Sequence, residues 1–297
     1  ARTLIGHGLD LLLGSLRNPS GGWAHTSSPD GSIADATEDL YDHAFIILAG
    51  ATAYRVTGDE RGLEMANAAI AYIKENWLDA DCGGFFEGSS PTGERRANPH
   101  MHLLEAFLAM HAATRDQAHL DCARDMVVLF ESNFFDPRTD ILREFFHEDW
   151  RPLPGERGAL FEPGHHFEWA TLLLEFERRS GHDTVSWRRR LIAKADRDGS
   201  STPEGFCLNA VLADGKPVDA RMRLWPQLEK LRAKFMHDAP HEDVSALLSA
   251  IDEIYVKPAG SGLLIDEIDA DHKPLDKPVP ASMLYHMVTA LGALLVK

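Results

Sequence analysis

One pattern recurs through the chain with a period of about 60 residues, and few folds can accommodate it. Each copy opens on a Gly-aromatic or Gly-Leu turn, runs through a short alternating stretch with a "DG"-like reversal, and passes directly into a helix. The copies begin at Asn18 (NPSGGWAHTSSPDGSIADATEDLYDHAF), Asp79 (DADCGGFFEGSSPTGERRANPHMHLLEAF), Asp198 (DGSSTPEGFCLNAVLADGKPVDARMRLWPQLEK) and Pro258 (PAGSGLLIDEIDADHKPLDKPVPASMLYHMVTA). A degenerate copy starting at Asp136, DPRTDILREFFHEDWRPLPGERGALFEPGHHFEWA, fills the gap.

Between the copies lie second helices with one apolar stripe, such as Leu63, Ala66, Ile70, Ile73 and Trp77, or Leu120, Ala123, Met126, Val127 and Phe130. The helices that follow the turns, "HLLEAFLAMHAA" and "FEWATLLLEF" among them, are apolar around most of their circumference. A one-sided stripe marks an outer helix and an all-round apolar surface an inner one. Alternating inner and outer helices with a fixed repeat bury their faces only by stacking on neighbours, so the expected fold is an all-α, (α/α)6 toroid-type barrel with short hairpins at one mouth. The chain opens inside an outer-type helix, "RTLIGHGLDLLLGSL", and five copies are visible. The reading is therefore one barrel domain over 1–297, N-terminally incomplete by one helix pair.

The net charge of −16 repels phosphate backbones, so no nucleic-acid partner is expected. No apolar run reaches the length of a membrane span, so no membrane partner is expected either. The three cysteines, Cys82, Cys122 and Cys207, lack metal-ligand spacing and read as reduced thiols of a cytoplasmic protein. An apolar stripe on the outer helices is compatible with a homodimer.

If all inner helices run the same way, their N-terminal ends meet at one mouth, and the chemistry is to be sought there. Those ends carry Tyr41 and His43; Asn98, His100 and His102; His165, His166 and Glu168; Trp225, Gln227 and Glu229; and Tyr285 and His286. A single histidine there is usually a cap or a satisfied core residue, and adjacent pairs force one member away from the cavity. His165 and Glu168, three apart, share a face, whereas His166 points about 100° away. Asn98 aligns with His102, and Trp225 with Glu229, at a spacing of four. Imidazoles, carboxylates, an amide and aromatics, with no lysine cluster, suit a neutral polyhydroxylated ligand. Histidine is the side chain best able to take and return a proton near neutrality.

The motifs "NPHMHLLEAFLA", "EPGHHFEW", "RLWPQLEK" and the final "YH" resemble those of the N-acylglucosamine 2-epimerase superfamily, over essentially the whole chain. The resemblance implies an (α/α)6 barrel and a sugar isomerase or epimerase with His165 and His286 as the catalytic acid/base pair. It implies that Tyr41, Asn98 and His102 bind hydroxyls, that Glu168 holds His165 or a sugar hydroxyl, and that Trp225 lines the sugar ring with Glu229 beneath it. No metal and no other cofactor is implied. The family also uses an arginine from its first inner helix, a helix this sequence lacks, and Arg2 is too close to Tyr41 in sequence to replace it.

Mannose–fructose type aldose–ketose isomerisation is favoured, because the compact hairpins leave no insertion to embrace a disaccharide. N-acylglucosamine or cellobiose 2-epimerisation is the alternative. Competing classes are glycoside hydrolysis by Glu168 and Glu229, metal catalysis through His100, His102, His165 or His286, and a non-catalytic sugar-binding protein.

Overall fold

The structure is a computed structural model that describes residues 2–89, 93–201 and 205–295. Ala1, the loop tips 90–92 and 202–204 that the repeat reading included, and 296–297 lie outside the described residues. The chain is 58% helical and forms two compact units, one of the residues up to Phe134 with Phe145–Leu153, the other of Phe135–Glu144 with the residues from Pro154 onward.

The first unit holds α1 (Arg2–Gly14), α2 (Leu40–Thr57), α3 (Glu60–Asn76), α4 (Ala97–Thr114) and α5 (Gln117–Leu129), the last continued by a π-turn over Phe130–Phe134. Gly58 ends α2 in the left-handed conformation, φ 74°, and the carboxylate of Asp59 then accepts from the N–H of Arg61 to cap α3. This two-residue corner folds α3 back along α2. The two helices touch backbone to backbone: a Cβ on Gly50 would lie 2.4 Å from the carbonyl oxygen of Gly62. Helix α3 buries Ala66, Ile70 and Ile73 along one stripe, which Trp77 continues at its C-cap, while α4 is buried on nearly every side. Helix α2 packs on both α3 and α4, and α4 on α5.

The second unit repeats the arrangement with α6 (Gly155–Ala159), α7 (Pro163–Ser180), α8 (Val185–Asp198), α9 (Leu224–Met236), α10 (His241–Ile251) and α11 (Met283–Leu295). Helix α7 packs on α8 and α9, and α9 on α10 and α11. The inner helices α7, α9 and α11 are thus consecutive neighbours. Among the described residues no helix is long and apolar enough to cross a membrane.

The short strands are only partly local. Thr26–Ser27 with Ile33–Asp35, Phe135–Asp136 with Ile141–Leu142, and Ala210–Leu212 with Pro217–Asp219 are hairpins within one copy, as their turns suggest. The others join different copies: Glu94–Arg96 with Phe145–His147, Leu160–Phe161 with Ala210–Leu212, and Met222–Arg223 with Glu267–Ile268. Within the second unit, the last two pairs link the segments that lead into α7, α9 and α11.

A second fastening recurs at the fourth residue of the four inner helices α2, α4, α7 and α9. His43 Nε2 accepts from the Trp23 N–H at 3.2 Å and His43 Nδ1–H donates to the Asp39 carbonyl at 2.8 Å. His100 bridges the Phe85 N–H (3.0 Å) and the Arg96 carbonyl (3.1 Å), and His166 bridges the Leu142 N–H (3.1 Å) and the Glu162 carbonyl (3.3 Å). In α9 a glutamine does the same: Gln227 Oε1 accepts from the Cys207 N–H at 2.7 Å, and its amide donates to the Arg223 carbonyl at 2.8 Å. Each clasp ties the helix entrance to the start of its preceding turn and satisfies a backbone N–H that would be costly to bury unpaired. The geometry demands one accepting and one donating ring nitrogen, which only a neutral imidazole offers. Burial accordingly pushes His100 and His166 down to about 3, and His43 down as well.

Candidate active site

The clasp assigns the histidine pairs by geometry. His43, His100 and His166 are committed to backbone at the fourth helical residue. The second and sixth residues, four apart, share a different face: Tyr41 and Phe45 in α2, Asn98 and His102 in α4, Gly164 and Glu168 in α7, Trp225 and Glu229 in α9.

In the first unit, Tyr41, Phe45 and His102 form one aromatic cluster, with ring centroids 5.0 Å apart for Tyr41–His102 and 4.6 Å for Phe45–His102. His102 is buried, and its Nδ1 lies 3.4 Å from Glu105 Oε2. Asn98 is half-buried one turn above His102. Phe45 was not among the sequence candidates, although its spacing of four from Tyr41 would have found it.

The remaining candidates lie in the second unit and converge on Trp225. Its indole neighbours two imidazoles, the His165 ring at 5.2 Å and 35° and the His286 ring at 5.2 Å and 30°. Gly164 makes this possible, because a Cβ there would fall 2.6 Å from the Trp225 ring and 2.9 Å from Pro226. The "PG" that opens α7 therefore serves two ends: Pro163 starts the helix and Gly164 leaves room for the indole.

Each imidazole is held by a buried carboxylate. His286 Nδ1–H donates to Glu229 Oε1 at 2.8 Å, and Arg232 Nη1 donates to the other oxygen of Glu229 at 3.4 Å. Glu229 is fully buried, which alone would raise its carboxyl, yet Arg232 and His286 hold it below its ordinary value. It is a carboxylate that accepts, so the basic lone pair of His286 belongs to Nε2. His286 is only partly buried, with 12% of its side chain exposed.

His165 Nδ1 lies 3.0 Å from Glu144 Oε1 and 3.9 Å from Glu162 Oε2. Burial opposes its charge, but Glu144 and Glu162 outweigh that and push it up to about 10, so this ring is an imidazolium through neutral pH. The same crowding leaves the Glu162 carboxyl raised, first by its burial. Glu144 was not among the sequence candidates. It sits in the irregular stretch after Ile141–Leu142, outside every helix entrance, and only tertiary packing brings it to α7.

Glu168 is buried and accepts from the Tyr285 hydroxyl at 3.2 Å. Glu168, Glu229 and His286 each present an oxygen or nitrogen within 4.8 Å of the others. One wall of the second unit therefore carries an indole, an imidazolium, an imidazole with its Nδ1 tied down, and two carboxylates.

The chain matches the sequence profile of the N-acylglucosamine 2-epimerase (GlcNAc 2-epimerase) family over residues 1–290. It is 35% identical over 294 residues to the mannose-6-phosphate isomerase of Rhizobium meliloti (strain 1021), which covers 92% of this chain and 74% of that protein. It is 33% identical over 254 residues to the D-mannose isomerase of Thermobifida fusca, covering 78% of this chain and 62% of the relative. Among solved structures it superposes on a D-mannose isomerase with a TM-score of 0.85 at 20% identity, over 100% of this chain and 81% of the other. On the cellobiose 2-epimerase of Bacillus thermoamylovorans the TM-score is 0.87 at 18% identity, over 98% and 81%. Those structures are (α/α)6 barrels, and the likeness shows that fold for this chain. The chain belongs to the N-acylglucosamine 2-epimerase family, and with it to the isomerase class of enzymes.

Proposed function

We propose that the chain interconverts an aldose and its ketose by moving a proton from C2 to C1, with a free sugar of the mannose–fructose type as substrate, as a cytoplasmic enzyme. The observation that supports this reading is the approach of both the His165 and the His286 ring to Trp225, each with Nδ1 on a buried carboxylate. A ring held charged by Glu144 is suited to the acid role, and a ring whose Nδ1–H is tied to Glu229 offers Nε2 for the base role.

In the proposed reaction His286 Nε2 takes the C2 proton of the open-chain aldose. The C–H electron pair becomes the C1=C2 double bond, and the carbonyl pair moves to O1, which takes a proton from His165. The enediol collapses when His165 removes the O2 proton, leaving the C2 ketone, and His286 delivers its proton to C1. Both imidazoles end in their starting states. Glu229 fixes the tautomer of His286 and steadies the imidazolium that forms transiently there. Glu144 keeps His165 charged and oriented. Trp225 offers an apolar face for the sugar carbons, and Glu168 and the Tyr285 hydroxyl are a pair suited to a substrate hydroxyl. In the first unit, Tyr41, Asn98 and His102 are proposed as hydroxyl-binding residues.

A hydrolytic reading is weaker. Glu229 is engaged by His286 and Arg232 and held ionised, so it does not serve as the protonated acid of a carboxyl pair. The carboxylates Glu144, Glu162, Glu168 and Glu229 favour a neutral sugar over a phosphorylated one. The cytoplasmic assignment is supported by three cysteines that are all free thiols.

Incubation with mannose, mannose 6-phosphate, N-acetylmannosamine and cellobiose separately in heavy water, read by NMR, tests the proposal. Fructose from mannose, with deuterium entering at C1, is expected. Epimer formation without ketose, or turnover of the phosphate ester alone, would overturn the substrate and reaction assigned.

A further inference from the structure

Arg223 stands at the entrance of α9, two residues before Trp225, and its backbone is held on both sides. Its N–H donates to Asn209 Oδ1 at 3.0 Å, and its carbonyl accepts from the Gln227 clasp at 2.8 Å. The strand it occupies pairs antiparallel with Glu267–Ile268. Its side chain is unlike those of its arginine neighbours. Arg221 is forked onto Asp219 at 2.9 and 2.6 Å, and Arg232 reaches Glu229. Arg223 forms no hydrogen bond or ion pair through its guanidinium among the described residues, and its Nε is a buried donor without a partner.

The guanidinium lies 5.8 Å from the centroid of the Trp225 ring, the same ring that both imidazoles face. Its charge is felt by nearby acids: Glu162 and Asp266 are both raised, chiefly by burial, and both are pulled back in part by Arg223. Yet among the described residues no carboxylate is positioned to take its N–H groups. A buried guanidinium donor without an acceptor costs stability and calls for an explanation. An acceptor that arrives with the ligand supplies one.

Resting on the isomerase reading above, we propose that Arg223 is a substrate-binding residue whose planar guanidinium takes the oxygens of the open-chain sugar beside the Trp225 ring. The five N–H groups of an arginine are arranged in a rigid fork that matches paired oxygens. A vicinal pair such as O1 and O2 presents them. The same fork would favour the partial negative charge that develops on those oxygens when the C2 proton leaves.

The test compares the wild type, Arg223→Ala and Arg223→Lys by kcat/KM on the free aldose and by urea unfolding midpoint. Arg223→Ala is expected to lose about 10- to 100-fold in kcat/KM, the worth of one or two charge-assisted hydrogen bonds, while its unfolding midpoint stays level or rises because an unpaired buried donor has gone. Arg223→Lys keeps the charge without the fork and is expected to recover only part of the loss. A kcat/KM within twofold of the wild type in Arg223→Ala would overturn the inference, as would a loss accompanied by a lowered midpoint, which is the mark of a structural residue. A wild type that exchanges no sugar proton would instead sink the proposed function.

Discussion

Replacing His166 separates the two histidines of "EPGHHFEW" most cleanly, because the structure assigns them different work. The His166 clasp spans the Leu142 N–H and the Glu162 carbonyl, and the ring is fully buried. His166→Ala strands a buried N–H, which costs about 1–3 kcal/mol, and removes a second hydrogen bond worth about 1 kcal/mol. It also leaves a cavity of imidazole size, so a total loss of about 3–5 kcal/mol in unfolding free energy is expected. His166→Gln is expected to lose less than about 2 kcal/mol, since Gln227 makes the equivalent clasp in α9. Equilibrium urea unfolding followed by tryptophan fluorescence and circular dichroism measures both. Sugar proton exchange per folded molecule should fall less than tenfold in either variant. The reasoning fails if alanine costs under about 1 kcal/mol, if glutamine costs as much as alanine, or if exchange collapses while the fold is intact.

Glu144→Gln removes the stronger of the two carboxylate partners of His165, which Glu144 and Glu162 together push up to about 10 against burial. The alkaline limb of the kcat/KM profile should therefore move to lower pH, and an unmoved limb would separate Glu144 from the acid. Glu229→Gln replaces the carboxylate by a neutral amide that no longer steadies the imidazolium formed at His286, and should cut kcat by about 10²- to 10⁴-fold with little effect on KM; a change in KM alone would contradict the assignment. The neutral clasps make the fold acid-sensitive. His43, His100 and His166 have folded values below their unfolded 6.5, so their contribution is present above pH 6.5 and is lost as pH falls, for His100 and His166 towards about 3. His165 shifts the other way, and its contribution is complete below 6.5 and lost only as pH rises through about 10. The unfolding midpoint should fall between pH 6.5 and 4, less steeply in His166→Gln, and a flat profile would contradict the clasp.

The helical repeat was legible because each copy carries its own punctuation. Asp39, Asp59 and Asp116 cap α2, α3 and α5 through their carboxylates, and Gly58 and Gly181 end α2 and α7 in the left-handed conformation. The facing of His165 against His166 followed from helix geometry alone, since adjacent residues differ by about 100°. The strand partners were not legible: Glu94–Arg96 meets Phe145–His147, far along the chain, and no local turn encodes that register. Glu144 escaped for a related reason. A lone glutamate in an irregular stretch has no periodicity, and its contact with His165 exists only once α7 packs beside Ile141–Leu142. Arg223 was not legible in "RLWPQLEK", because an unpaired buried donor exists only once the chain has folded around it.

The most direct test of the account is deuterium uptake at the sugar C1 and C2 positions by His286→Ala, followed by NMR in heavy water at neutral pH with a folded protein. A positioned general base contributes about 10²- to 10⁴-fold, so exchange should fall by that factor, with binding of the sugar retained. Exchange at the wild-type rate would show that the ring tied to Glu229 beside Trp225 is not the base.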